Sequence, residues 1–229
     1  QSLSIKPDQA ETLALRGAML RKLGDLAGAA ADTESALILA PGNPALTYSL
    51  GLIQLQLGNL TAAEQSIGLT AQLLPENPGV QLLHALLAYN INAPKTATAA
   101  LESYLTLVPE RSNETAFYLE YSLGAQHERD LAKRQLRQRA EAIHSTKALK
   151  NFLGYIEGKL DRKAVLDDAG RAEIPELARQ QICEAAYWLA QHEHILEHST
   201  ETAQLLKLAT QIGTPDMPEY QFAQWQLQQ

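Results

Sequence analysis

The sequence predicts an all-α chain of stacked helix pairs, and three observations carry the prediction. The stretch LGDLAGAAADTESALILAPGNP, residues 23 to 44, is echoed 34 residues later by LGNLTAAEQSIGLTAQLLPENP, residues 57 to 78. Pro7, Pro41, Pro75 and Pro109 fall in that same 34-residue frame without insertion. Small residues keep the register as well: Gly17 and Gly51 with Ala85 next, Gly24 and Gly58, and Ala29, Ala63 and Ala97. A fixed period of this length marks an array of supersecondary units, each burying its apolar face on the next.

Each mark has a physical role along one unit. Gly24 and Gly58 stand where a first helix must end, because glycine takes the left-handed conformation at little cost. Asp25 and Asn59 are then placed to cap the second helix by accepting its free backbone N–H groups. Gly17, Gly51 and Ala85 leave room for a neighbouring helix, as do Ala29, Ala63 and Ala97 on the second helix. Proline stops that helix, and Pro-Gly-Asn-Pro or Pro-Glu-Asn-Pro turns the chain into the next unit. The array is read over residues 1–143, with units at 10–43, 44–77 and 78–111 and a degenerate fourth from 112. Residues 1 to 9 read as the tail of a second helix. The third unit replaces the Gly-Asp turn with Asn92-Ala93-Pro94. Ser112 is placed to cap a helix from about Glu114 to Gln126, after which the period lapses, since Ile143 stands where the next proline would fall.

Residues 144–229 read as an irregular helical region. Short pieces over 144–178 are broken by Gly154, Gly158, Gly170 and Pro175. A helix pair is expected from Ile182 to Ile212, and PEYQFAQWQLQQ then offers Tyr220, Phe222, Ala223 and Leu227 as an apolar side that caps the stack.

Bulk composition bounds the function. The chain has 229 residues, 45% of them hydrophobic and 20% charged, with a formal net charge of −7. That is globular composition, and the acidic balance argues against nucleic acid and membrane surfaces as partners. No apolar run approaches the roughly 18 residues of a membrane span, so no membrane insertion is expected. Cys183 is the single cysteine and sits among Ile182, Ala185 and Ala186 as a small hydrophobe. Gln1 in place of an initiating methionine implies a processed or trimmed chain.

Gly17, Ala29, Ala36 and Pro41, then Gly51, Ala63 and Pro75, match the small and turn positions by which the chain resembles the tetratricopeptide-repeat (TPR) family. The resemblance implies a helix-turn-helix solenoid winding as a right-handed superhelix, and a protein-binding scaffold with a concave groove. The first helices would line it with Arg21 and Lys22, then Tyr48, Leu52, Leu55 and Gln56, then Leu82, Leu86, Tyr89 and Asn90. Tyr-Leu-Leu recurring on two such helices needs a cover, either the protein's own C-terminal helices, a second copy, or a partner's peptide segment. VQLLHALLAYNI, uncharged throughout, reads as a helix buried on all sides. The carboxylate clamp of chaperone-binding TPR domains is absent, because Ala14, Ala18, Tyr48 and Leu52 occupy its positions.

Other chemistry is sparse, and the motifs imply no catalytic residue and no cofactor. In HEHILEH, His194 and His198 are four apart, which would put them on one helical face as two ligands of a metal. A polar helix end is the plainer reading, since no third ligand is evident. The run RDLAKRQLRQR, residues 129 to 139, has Glu128, Asp130 and Glu141 as pairing partners and reads as a solvated face.

NFLGYIEGKLDRKAVLDDA, then EAAYWLA, AQLLKLA and PEYQFAQWQL, resemble in order the end of NlpI-type TPR lipoproteins, over about residues 110–229. Tyr187, Leu189, Ala190, Ala203, Leu206, Ala209, Glu219, Tyr220, Ala223 and Leu227 carry the likeness, while Glu197-His198 replaces that family's Gly-Asp turn. The resemblance implies a periplasmic, dimer-forming adaptor at the outer membrane that brings cell-wall hydrolases to a protease. A cytosolic TPR scaffold is the alternative.

Overall fold

The computed structural model describes residues 7–108, 114–142 and 146–229. Those residues form thirteen α-helices and no strand. Packing divides the chain into two compact halves, residues 1–107 and 108–229. The helices of the degenerate fourth unit therefore side with the C-terminal half.

The N-terminal half holds three helix pairs: α1 (Pro7–Lys22) with α2 (Leu26–Leu39), α3 (Pro44–Gln56) with α4 (Leu60–Leu73), and α5 (Pro78–Asn90) with α6 (Pro94–Leu107). Each second helix also packs on the next first helix, α2 on α3 and α4 on α5. Within each pair, the residues in the 34-residue frame let the two helices approach closely. A Cβ at Gly51 would lie 2.6 Å from Ile67 Cδ1, and one at Gly17 3.0 Å from Thr33 Oγ1. Ala29, Ala63, Ala85 and Ala97 are completely buried.

The turn between paired helices repeats with its hydrogen bonds. Gly24 (φ +84°), Gly58 (φ +76°) and Asn92 (φ +58°) take the left-handed conformation 34 residues apart. The following N–H groups reach back to the helix they leave: Asp25 to Leu20 O at 3.0 Å, Asn59 to Gln54 O at 2.9 Å, Ala93 to Ala88 O at 2.8 Å. This is the Schellman arrangement, which satisfies carbonyls that the helix end leaves open. Asp25 caps α2 through Oδ1, which accepts from Gly28 N at 2.9 Å. Asn59 stands at the N-cap of α4 but makes no side-chain cap bond, against the expectation; the Schellman bonds alone organise that turn. Asn43 and Asn77 do cap, accepting from Ala45 N and Val80 N ahead of α3 and α5. Pro44 and Pro78 occupy the first turns of those helices, where the missing N–H is no loss. Pro7 likewise opens α1, so the second-helix tail expected over residues 1–9 does not extend to Pro7–Gln9. Residues 1–6 lie outside the described residues, as do Pro109, Ser112 and Ile143.

The C-terminal half contains α7 (Glu114–Ala125), α8 (Arg129–Ala142), α9 (Lys147–Ile156), α10 (Arg162–Ala169), α11 (Pro175–Ile195), α12 (Ser199–Ile212) and α13 (Pro218–Gln226). Pro175, expected as a break, instead opens α11 seven residues ahead of the predicted start, because proline suits a first turn. Trp188, Tyr121, Tyr187, Phe117 and Phe222 are fully buried and form the core. Glu197 (φ +63°) does the work of glycine between α11 and α12, with His198 N bonded to Glu193 O at 3.0 Å. A Cβ at Gly213 would fall 2.6 Å from Cys183 Sγ, so the chain leaves α12 tightly against α11.

The turn into a first helix, though not its 34-residue spacing, recurs at Pro215-Asp-Met-Pro218. Gln221 Nε2 donates to Pro215 O at 2.7 Å, as Gln81 Nε2 donates to Pro75 O at 3.2 Å ahead of α5. Helix α13 therefore begins as a first helix of a repeat begins. Phe222 and Ala223 are buried on it, whereas Leu227, expected on the same apolar side, is 38% exposed at the C-cap.

Candidate functional site

The predicted groove residues all lie on the first helices α1, α3 and α5, and they divide by accessibility. Arg21, Tyr48, Leu52, Gln56 and Leu82 are half-buried and Lys22 is exposed. Leu55, Leu86, Tyr89 and Asn90 are buried within the folded chain. The structure joins the first two helices across the expected surface: Arg21 Nη1 donates to Gln56 Oε1 at 3.5 Å. Asn90 turns inward, its Nδ2 donating to Leu86 O at 2.9 Å. An accessible apolar strip with cationic residues at one end thus survives on the first two repeats. On the third, Leu82 alone of the predicted residues stays accessible. The run VQLLHALLAYNI is buried over most of its length, as its lack of charge implies.

The histidine pair is not a two-ligand face. Helix α11 ends at Ile195, Glu197 reverses the backbone, and His198 stands at the N-cap of α12. The i, i+4 relation therefore does not hold between His194 and His198. His194 is exposed, while His198 Nδ1 lies 2.6 Å from Glu193 Oε2. Glu193 is buried and also accepts from the Tyr155 hydroxyl. The Tyr121 hydroxyl and His192 Nδ1 share a hydrogen bond of 2.8 Å. Burial pushes the His192 imidazole down to about 4, so it is neutral near pH 7. These groups tie the end of α11 to α7, α9 and α12. No cluster of three or more metal-ligating side chains exists among the described residues.

The basic run lies on α8, where Arg137 pairs with Glu157, Arg139 with Glu120 and Arg134 with Glu128. Cys183 is fully buried, and burial, then the charges of Glu219 and Glu184, push its thiol up to about 12. Such a thiol is an inert packing group.

No protein-family description matches the chain, and no curated protein matches it. Solved structures do. A tetratricopeptide repeat protein from Parabacteroides merdae superposes over 90% of this chain and 86% of its own, with a TM-score of 0.60 and 19% identity. The fold is the tetratricopeptide repeat. The TPR domain of P58(IPK) also aligns, over 96% of this chain and 97% of its own at 14% identity, but its TM-score of 0.26 carries no argument. The TPR architecture explains why the recurring small residues sit where first and second helices cross. At that level of identity it says nothing about which segment or molecule is bound.

Sequence reasoning missed the residues that line the interior of the C-terminal half. Glu184 and Trp188 are four apart on α11 in the stretch EAAYW, a carboxylate among apolar neighbours. That isolation is the one signal that could have drawn attention to them.

Proposed function

We propose that this TPR chain is a non-catalytic scaffold that takes a partner's peptide segment on the inner face of its first helices, from the end of α1 across α3 to Leu82 on α5. One observation carries the reading. Tyr48, Leu52 and Leu82 stay accessible although apolar, beside Arg21 and Lys22, in the places where a TPR array presents its first helices. A peptide there would bury the aliphatic strip and set an acidic group against the cations.

Leu52→Asp with Leu82→Asp is the direct test. The expected result is loss of the partner retained by the wild-type protein on a column, with the melting temperature little changed. Retention of that partner by a folded double variant would sink the proposal. Reversing the cations, Arg21→Glu with Lys22→Glu, should weaken the same partner and leave a salt-insensitive remainder.

The finer reading follows the NlpI-type resemblance: a periplasmic, dimeric adaptor that links cell-wall hydrolases to a protease, against a cytosolic scaffold as the alternative. In-cell crosslinking at Leu52 should capture a hydrolase or a protease of the envelope. Capture of cytosolic proteins alone would select the alternative. Sedimentation of the pure chain tests the dimer separately.

A further inference from the structure

Helix α1 carries an apolar stripe that stays exposed in the single chain. Leu15, Met19 and Leu23 follow one another four residues apart, so they share one side of the helix, and they are 63%, 60% and 79% exposed. A solvated helix turns charged and polar residues outward instead.

The repeat shows what this side of a first helix does. Met19 stands two residues beyond Gly17, about 200° round the helix from the crossing with α2. The same step leads from Gly51 to Ile53 in α3 and from Ala85 to Leu87 in α5. Ile53 is 1% exposed and Leu87 0%, because α2 packs ahead of α3 and α4 ahead of α5. Leu15 has its counterpart in Leu83 of α5, which is 9% exposed. The stripe on α1 is thus a helix-packing surface in the register of two existing interfaces, and among the described residues it stays open.

The charges beside the stripe run head to tail. Glu11 lies toward its start and Lys22 toward its end, on the same edge, since the step between them is about three full turns. Both are exposed. On the opposite edge Arg16 is held by Asp32 through two bonds of 2.5 and 2.6 Å, so it adds no net charge there. A helix with an acid at one end and a base at the other complements an antiparallel copy of itself.

We propose that this face of α1 is an interface with a second copy of the chain, the two α1 helices packing antiparallel about a two-fold axis between Arg16 and Gly17. That axis sets Leu15 of each copy against Met19 of the other, and Glu11 against Lys22, each contact occurring twice as an isologous interface requires. The aliphatic contacts supply burial. The ion pairs select the direction, because parallel helices would set Glu11 against Glu11 and Lys22 against Lys22. The NlpI-type reading asks for a dimer, but this face stands on α1 alone, and its failure would leave the peptide surface at Leu52 and Leu82 untouched.

Sedimentation equilibrium of the whole chain without any partner, from about 1 to 200 µM, reads the interface, because one helix pair associates weakly. The wild-type mass should rise with concentration from that of one chain to that of two. Leu15→Asp with Met19→Asp should hold the chain single throughout. Leu15→Ala with Met19→Ala keeps helix propensity and should weaken association at least about tenfold. Both side chains are exposed in the single chain, so the melting temperature at low concentration should stay near wild type. Glu11→Lys alone and Lys22→Glu alone should each weaken association at least about threefold, and the two together should restore it. A wild-type chain that stays single at about 200 µM would overturn the proposal and leave the face to a helix packed ahead of α1, from this chain or another protein. Undiminished association of both Leu15–Met19 variants would overturn it as well. A double charge exchange no tighter than the single ones would overturn the antiparallel pairing. Dilution of the wild type needs no substitution, so that reading stands even if a variant fails to fold.

Discussion

Single residues hold the left-handed turns on which the repeat depends, and their chemistry makes testable differences between copies. Glycine fills the position at Gly24 and Gly58, asparagine at Asn92 and glutamate at Glu197, all at positive φ. A residue with a Cβ in that conformation carries a strain of roughly 1–2 kcal/mol, which Asn relieves and Glu does not. Glu197→Gly should therefore stabilise the protein by about 0.5–1 kcal/mol once the entropy of an unfolded glycine is deducted. Gly58→Ala should lower stability by about 1 kcal/mol; chemical denaturation reads both. Glu219 provides a second test at this scale. Burial, then the charge of Glu184, pushes its carboxyl up to about 7, so the folded chain binds that proton more tightly than the unfolded one. Stability drawn from this residue is full below the unfolded carboxyl value near 4.5 and is lost as pH rises through about 7. Neutral Glu219→Gln should leave the melting temperature little changed below pH 4.5 and raise it at pH 8. His192 runs the other way, its lowered value withdrawing stability as pH falls below 6.5.

Among the helices, what could be read in advance followed from period. Gly17, Gly51, Ala85 and the alanines of the second helices stand out in the sequence because three successive crossings impose the same close approach. The turn was harder to read. Asn92-Ala93 and Glu197-His198 show no glycine, yet the backbone hydrogen bonds there match those at Gly24 and Gly58. Residue type is a poor witness where geometry alone is conserved between repeats. The start of α13 was legible from proline spacing, because Pro215 and Pro218 are spaced as Pro41 and Pro44 and as Pro75 and Pro78 are ahead of α3 and α5. The inner face was legible as a set of positions but not in its accessibility. Leu52 and Leu86 occupy equivalent places 34 residues apart, yet one is half-buried and the other 5% exposed. The two positions should respond differently to charge. Leu86→Asp leaves an unpaired carboxylate in the interior and should cost about 3 kcal/mol or more, whereas Leu52→Asp should cost well under that. Equal losses in thermal melts would mean that the two repeats present their first helices alike. The pocket between α7, α9, α10 and α11 was illegible for another reason: its lining residues, from Glu114 to Trp188, come from four helices with no common spacing.

For the molecule as a whole, the division into residues 1–107 and 108–229 has a consequence that spectroscopy can separate. An array whose repeats cohere mainly with their neighbours unfolds in segments once one segment is weakened enough. Both tryptophans, Trp188 and Trp225, belong to the C-terminal half, so indole fluorescence follows that half alone, while circular dichroism follows helices in both. Ile53 is 1% exposed in the N-terminal half, and Ile53→Ala should remove about 2–5 kcal/mol from its stability. The expected outcome is a dichroism transition that moves to lower denaturant, or splits, while the fluorescence transition stays near its wild-type midpoint. Leu189 is completely buried in the C-terminal half, and Leu189→Ala should shift the fluorescence midpoint and leave an early-persisting helical signal from residues 1–107. Coincident transitions in both variants would mean that the halves unfold as one cooperative block, and that the contact boundary at Leu107 does not mark an energetic one.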